Sequence, residues 1–564
     1  MLDTRSRTLL GTITLATLMA VTLVVTPYTS LDPINLPKLS VLAFSAILAL
    51  SLFINIFKNI AQSRFKILLI LLSLFVFQII LVLIFSGANF GGQIFGTFGR
   101  NTGALAYLSL TVFLLSSALI ANSDFIKKFL RVSLIVGIIL IIYGNFQYLN
   151  LDPLPFSTAY TVNAPVGTLG NSNFQSAFMG IIAVMAFSMA INSAFSIAAR
   201  AGLALTGFAA VVVIYETLAK QGYFALMAGA LIVVVLWLFM NNRKTLGNFV
   251  SGFGAIGAGL VFLGLINSGP LSSYLYKGSL EARGYYWRAG IKMLMDRPIF
   301  GVGMDSFVDW FRRSRPPEFY RNGFFSYTNS AHNVNLDIGA SGGVPLLLVY
   351  FAIISLVILS IVRVVKRSMG LDIYFVTIVG AWVAYQAQAF VSINQLGLAI
   401  WGWVLTGLII GYEINTRDEK LEKDVSVKSK QPKRKAKVVV QPLSSAALMR
   451  VFGGVILGAI VAIPPYYANA NFFSALKSGD IKALQAAAYL KPIDERRLLH
   501  VATVLRDNKM DSEAITIIRD ATKGYPDSFD FWQLWTTIPT AAPADIAAAK
   551  AEMLRLDPFN PDIR

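Results

Sequence analysis

Histidine is the side chain best suited to accept a proton near neutral pH without a metal, and this chain has two, His332 and His500. His332 stands in Ala331-His332-Asn333, just ahead of a long apolar run. The same connection holds a basic stretch, RGYYWRAGIKMLMDRPIFGVGMDSF, from Arg283 to Phe307. There Arg283, Trp287, Ile291 and Leu294 recur at helical spacing, with Arg288 and Lys292 in a parallel cationic row. This pattern predicts an amphipathic helix suited to lying on a bilayer interface. Asp296-Arg297-Pro298 stops the helix and Gly301-Val302-Gly303 turns the chain. Between Asn267 and Asn335 lie nine basic and five acidic residues, with Arg312, Arg313, Arg315 and Arg321 among the former, a balance that favours an anionic ligand. The chemistry open to such a set is proton acceptance by an imidazole, beside guanidinium groups that hold an anion. His500, in RRLLHVATVL, reads as an ordinary packing or surface residue.

Three further polar clusters interrupt the apolar runs. Gly92–Ala104 (GQIFGTFGRNTGA) carries Arg100 as its one cation; it reads either as a ligand-approaching glycine loop or as a flexible turn with a snorkelling arginine. Asn163–Phe178 contains Gly170-Asn171-Ser172-Asn173, which suits a helix cap and also places Asn171 and Asn173 at the mouth of a span. Glu216 and Lys220, four apart ahead of Gln221-Gly222, can pair on one helix face; alternatively Lys220 faces a polar ligand.

The elements that must position these residues are membrane helices. Of 564 residues, 55% are hydrophobic and only 14% charged, far fewer charges than a soluble domain carries. The predicted class is an all-α polytopic membrane protein with about 12–13 spans. These are Leu9–Val25 (apolar after Arg5 and Arg7, with no cleavage signal evident, hence retained), Leu39–Phe57, Ile67–Phe85, Ala104–Ala121, Val132–Leu149, Phe174–Ile191, Leu203–Leu218, Tyr223–Met240, Phe249–Ile266, Val344–Val362, Ile373–Val391, Leu398–Ile414 and Leu448–Tyr466. With the N-terminus cytoplasmic, the basic loops fall inside, and both the 267–343 connection and the tail emerge on the outer face. The expected organisation is a membrane domain over 1–414, a basic cytoplasmic linker over 415–447 (KSKQPKRKAK from Lys428 to Lys437), a last span over 448–467, and an extracytoplasmic helical domain over 468–564. In that domain DSEAITIIRDATKGYPDS and AKAEMLRLDPFNPD look like tetratricopeptide-type helix pairs. Such a stack offers a surface to a protein partner, or simply caps the fold.

The net charge of +18 is thus mostly topological, and nucleic acid is not an expected partner. The absence of cysteine excludes disulfides, thiolate metal sites and cysteine nucleophiles.

Arg283…Trp287, Arg297-Pro298-Ile299-Phe300-Gly301-Val302-Gly303 and Ala331-His332-Asn333, with Gly99–Gly103 and Gly167–Asn173 before them, resemble the O-antigen ligase / O-antigen polymerase superfamily of bacterial membrane glycosyltransferases, over roughly Leu9 to Tyr412. Many members carry Ser-Arg-Gly where this chain has Lys220-Gln221-Gly222. The resemblance implies a multi-pass protein of the bacterial cytoplasmic membrane. It would transfer or polymerise an undecaprenyl-diphosphate-type lipid-linked glycan onto a glycan, lipid or protein acceptor hydroxyl at the outer face, with inversion and without metal or cofactor. It implies His332 as the catalytic base, Arg283, Arg288, Arg100 and Lys220 on the donor diphosphate, and Asn333, Asn171 and Asn173 as positioning residues, among membrane lipids. The alternative is a transporter or flippase of the lipid-linked glycan, although no internal repeat supports it.

Overall fold

The computed structural model describes residues 4–154, 164–324, 327–368, 370–417 and 445–563. It is 77% helical, with no strand among the described residues. All thirteen predicted spans are helices: α1 (Thr4–Leu23), α2 (Asn35–Phe53), α3 (Lys66–Phe85), α4 (Ala104–Ile120), α5 (Ser123–Tyr148), α6 (Ser172–Ala190), α7 (Ile197–Glu216), α8 (Gln221–Met240), α9 (Lys244–Leu265), α12 (Val334–Arg367), α13 (Ile373–Ala389), α14 (Leu396–Asn415) and α15 (Ser445–Ser478). Ten of them are long and apolar enough to cross a membrane; α4 and α13 are shorter, and α5 is more polar. The predicted basic linker, including Lys428–Lys437, lies outside the described residues.

The centre of the bundle is α14, which packs against α1, α4, α12 and α13. Its Trp401 is fully buried between Phe129 and Phe178, and its indole N–H donates to Thr22 Oγ1 at 2.8 Å. Gly407 and Gly411 let α14 run against the α4 backbone, where a Cβ would overlap the carbonyls of Leu114 and Ala118. This small-xxx-small packing suits helices that bury no apolar surface from water on associating. At the periphery, α9 is almost wholly exposed and presents Phe249, Phe253 and Ile256 outward, as expected of a lipid-facing helix.

Outside the bundle, the long connection carries α10 (Ser279–Asp296) and α11 (Phe307–Ser314), with one-turn helices at Ser272–Leu275 and Glu318–Arg321. The last apolar helix, α15, runs unbroken through the predicted span boundary into the tail and packs on α2 with Gly454 and Gly458 against Ser51 and Phe44. Above the bundle, Asn469 Oδ1 accepts from Ser30 Oγ and from the amides of Leu31 and Asp32, fixing the start of the tail. The tail continues as α16 (Ile481–Ala488), α17 (Glu495–Asp507), α18 (Asp511–Gly524), α19 (Phe529–Thr536) and α20 (Pro543–Leu556), successive helices packing on one another around their own apolar core.

Candidate active site

Helix α12 is broken where the sequence places glycine. Gly343 has φ 77°, so two helical pieces meet there, Val334–Gly342 and the long apolar piece beginning at Val344. A break strands carbonyls of the first piece and amides of the second, and the Pro298–Gly303 turn satisfies them. The amides of Val302 and Gly303 donate to Ala340 O (2.9 Å) and Ser341 O (3.1 Å), and Val344 N–H donates to Pro298 O (2.7 Å). From α3, Gln78 Nε2 closes the joint by donating to Ile299 O (2.7 Å) and Gly342 O (3.0 Å). The Gly-Val-Gly motif is therefore the clasp of a broken helix.

The N-terminus of the first piece presents His332. Asn333 caps it, its Oδ1 accepting from Leu336 N–H. One turn in, Asp337 reaches back: its oxygens accept from Ala331 N–H and Ser330 Oγ, both at 2.6 Å. The Ser330 hydroxyl accepts from His332 N–H at 2.9 Å, and Ser330 O lies 3.2 Å from His332 Nδ1. Since that neighbour is a carbonyl, Nδ1 carries the proton and Nε2 keeps its lone pair. His332 itself sits in the left-handed region at φ 54°, a conformation that persists only when the surroundings over-determine it.

Helix α10 lies across this piece, with Gly290 against Leu336, and Tyr286 faces the imidazole with ring centres 5.4 Å apart. Arg283, one turn earlier, is buried. Gln221 at the start of α8 links it to the bundle: with the amide oriented to suit its neighbours, Oε1 accepts from Arg283 Nη2 and the nitrogen donates to Asn173 O and Ser392 Oγ, each at 3.2 Å. Burial pushes the Arg283 guanidinium down to about 10, so it stays charged at neutral pH.

The glycine loop supplies the other cation. Arg100 Nε and Nη2 both donate to Asn329 Oδ1, at 2.7 and 2.6 Å. The loop is held by Asp305, whose carboxylate accepts from the amides of Thr97 (2.8 Å) and Thr102 (3.1 Å) and from Thr102 Oγ1 (3.0 Å). Burial pushes this carboxyl up to about 6, against those bonds and the charge of Arg100. Burial also pushes the His332 imidazole down to about 3, with the positive charges of Arg100 and Arg283 adding to the effect. Both guanidinium groups are thus close enough to act electrostatically on the one imidazole, while the imidazole is neutral.

Of the predicted set, Arg100 reaches the His332 segment through Asn329, and Arg283 lies one turn from Tyr286, which faces the imidazole. Asn333 and Asn171 are helix caps, Asn171 accepting from Asn173 N–H, and Asn173 meets Gln221 through its carbonyl. Arg288 is exposed and stacks over Tyr285 on another face of α10. Lys220 is also exposed; Gln221 is the residue of Lys-Gln-Gly that reaches Arg283.

Three expectations need correction. Glu216 and Lys220 do not share a helix face, because α7 ends at Glu216 and Leu218 turns left-handed (φ 56°) before α8 begins. The predicted stripe of α10 does not stay on one face: Arg283 and Trp287 are buried with Tyr285, Ala289 and Met293, while Ile291 is 48% exposed. Arg312, Arg313 and Arg315 are matched by carboxylates of the tail: Arg312 to Asp530 (3.1 Å), Arg313 to Asp527 (3.3 Å) and Arg315 to Asp557 (2.6 Å). Their anion is within the chain.

Residues 203–351 match the O-antigen ligase family. The matched segment runs from α7 to the start of the long piece of α12 and includes Gln221, Arg283, the 298–303 clasp and His332. The Arg100 loop lies outside it. The comparison with curated proteins gave no match. What the sequence reading missed are the carboxylates that hold the site. Asp337 had a usable signal, lying five residues after His332 at the N-terminal turn of a helix.

Proposed function

We propose that this chain is an O-antigen ligase-like membrane glycosyltransferase acting at the outer face of the bacterial cytoplasmic membrane, with its N-terminus in the cytoplasm. Its donor is a glycan on a polyprenyl diphosphate, and its acceptor is a hydroxyl on a glycan, lipid or protein. The observation that carries this reading is that Arg100, bonded to Asn329, and Arg283, one turn from Tyr286, flank the segment that bears His332.

The chemistry follows from those groups. The acceptor O–H gives its proton to His332 Nε2 as the oxygen attacks the anomeric carbon from the face opposite the diphosphate. The anomeric C–O bond breaks, the configuration inverts, and the lipid diphosphate leaves with the bonding pair. Arg283 and Arg100 meet the charge that develops there, so the step requires no metal. The same cations that weaken the base in the free protein are neutralised once a diphosphate lies between them. Donor binding therefore strengthens His332 as a base, and the acceptor is activated only when a glycan is present to receive it. Arg288 and Lys220, being exposed, serve at most the outer part of the donor.

The test is transfer by the purified protein from a synthetic polyprenyl-diphosphate-linked glycan, followed by mass spectrometry of the acceptor. A new glycosidic bond is expected, and His332→Ala should lower the rate by a factor on the order of 10²–10⁴. Transport of the donor into sealed vesicles without bond formation would overturn the reading.

A further inference from the structure

The tail reaches the site through a buried carboxylate. Asp557, just after α20, and Arg315, just after α11, are both fully buried, 2.6 Å apart. Tyr320 Oη donates to the same Asp557 oxygen at 2.9 Å, Asn560 Nδ2 donates at 3.3 Å, and Arg312 lies 3.9 Å away. Arg315 covers the rings of Phe311, Phe319 and Tyr320. Phe311 meets Tyr286 edge-on at 5.6 Å, and Tyr286 faces His332. A continuous run of packed rings therefore joins the tail carboxylate to the imidazole.

A dry ion pair contributes little stability over apolar residues of similar volume, but it does fix one register. Here the register fixed is that of α11 and the turn after it, which form the back of the Tyr286 wall. We propose that Asp557 is a positioning residue for His332, and that the tail is an integral support of the active site. This rests on the reading of His332 as the base. The groups acting on the imidazole are Arg100 from the glycine loop, Arg283 and Tyr286 from α10, and the Ser330 carbonyl from its own segment. None belongs to the tail, so any effect of Asp557 must travel through the rings.

The experiment uses the full chain in nanodiscs. Histidine ¹⁵N spectra in a His500→Gln background follow the His332 titration, alongside transfer kinetics. Asp557→Asn should loosen the wall and admit water, so the imidazole titrates about one pH unit higher. The kcat should fall on the order of tenfold to a hundredfold, while the KM for donor stays within about threefold, because Arg100 and Arg283 are untouched. Phe311→Leu, which cuts the run of rings between Arg315 and Tyr286 without touching the imidazole, should give the same titration shift, and it decides the matter if Asp557→Asn does not fold. A folded Asp557→Asn protein with unchanged titration overturns the proposal, even if transfer falls in proportion to folded protein. If the parent transfers no glycan, the functional reading fails alone, and the titration still judges the coupling of Asp557 to His332.

Discussion

The Asp337 carboxylate accepts from the Ser330 hydroxyl at 2.6 Å, and that hydroxyl accepts from the backbone N–H of His332 at 2.9 Å. The acid thus sets the histidine's backbone rather than its ring. Asp337→Ala frees the Ala331 amide and the Ser330 hydroxyl together. We expect kcat to fall on the order of a hundredfold with donor binding retained, as measured by transfer kinetics and a donor-binding assay. Asp337→Asn keeps one acceptor and should retain more activity.

The state of His332 predicts a pH dependence. Its folded value lies below the ordinary 6.5, so the unfolded chain binds the proton first as pH falls. Stability is therefore lost from about 6.5 downward. For catalysis, the acid limb of kcat/KM assigned to the free imidazole should lie well below 6.5, and farnesyl diphosphate should raise the imidazole's titration point by screening Arg100 and Arg283. Histidine NMR with and without that ligand measures both. A free-protein titration at 6.5 would contradict the site's electrostatics.

Gly343 is constrained twice, by φ 77° and by an added Cβ lying 2.5 Å from Ile299 O. Gly343→Ala should cost about 1–3 kcal/mol and open the clasp at Pro298–Gly303. Thermal unfolding in detergent should show the lower midpoint, and transfer should fall with it.

Asp305 gathers three donors of the glycine loop. Asp305→Ala should cost about 1–3 kcal/mol and release Arg100 from its place. The KM for donor should rise more than kcat falls, the opposite pattern to Asp337→Ala.

Much of this was legible in the sequence because membrane helices tolerate few polar residues. His332 and Arg100 stood out by type and by their place at span ends, Arg283 by its place in the basic stretch of the long connection, and the thirteen apolar runs marked the helices directly. What could not be read depended on contacts between distant segments. A charge count sees nine cations in the long connection but not Asp527, Asp530 and Asp557, which lie some two hundred positions on and match three of them. The i,i+4 rule assumed a helix through Glu216 and Lys220, and Leu218 turns left-handed without a glycine to announce it. The buried face of α10 is set by the half-helix beneath it, so Trp287 is buried while Ile291, placed on the same stripe, is exposed.

The interruption at Gly343 also separates the segment bearing the imidazole from the rod that meets lipid. Bilayers of different thickness re-tilt a long apolar rod. Here the rod begins at Val344, and the short piece before it is clasped by the 298–303 turn, so such tilting is taken up at the joint. Transfer rates in nanodiscs of short-chain and long-chain lipid are therefore expected to differ little.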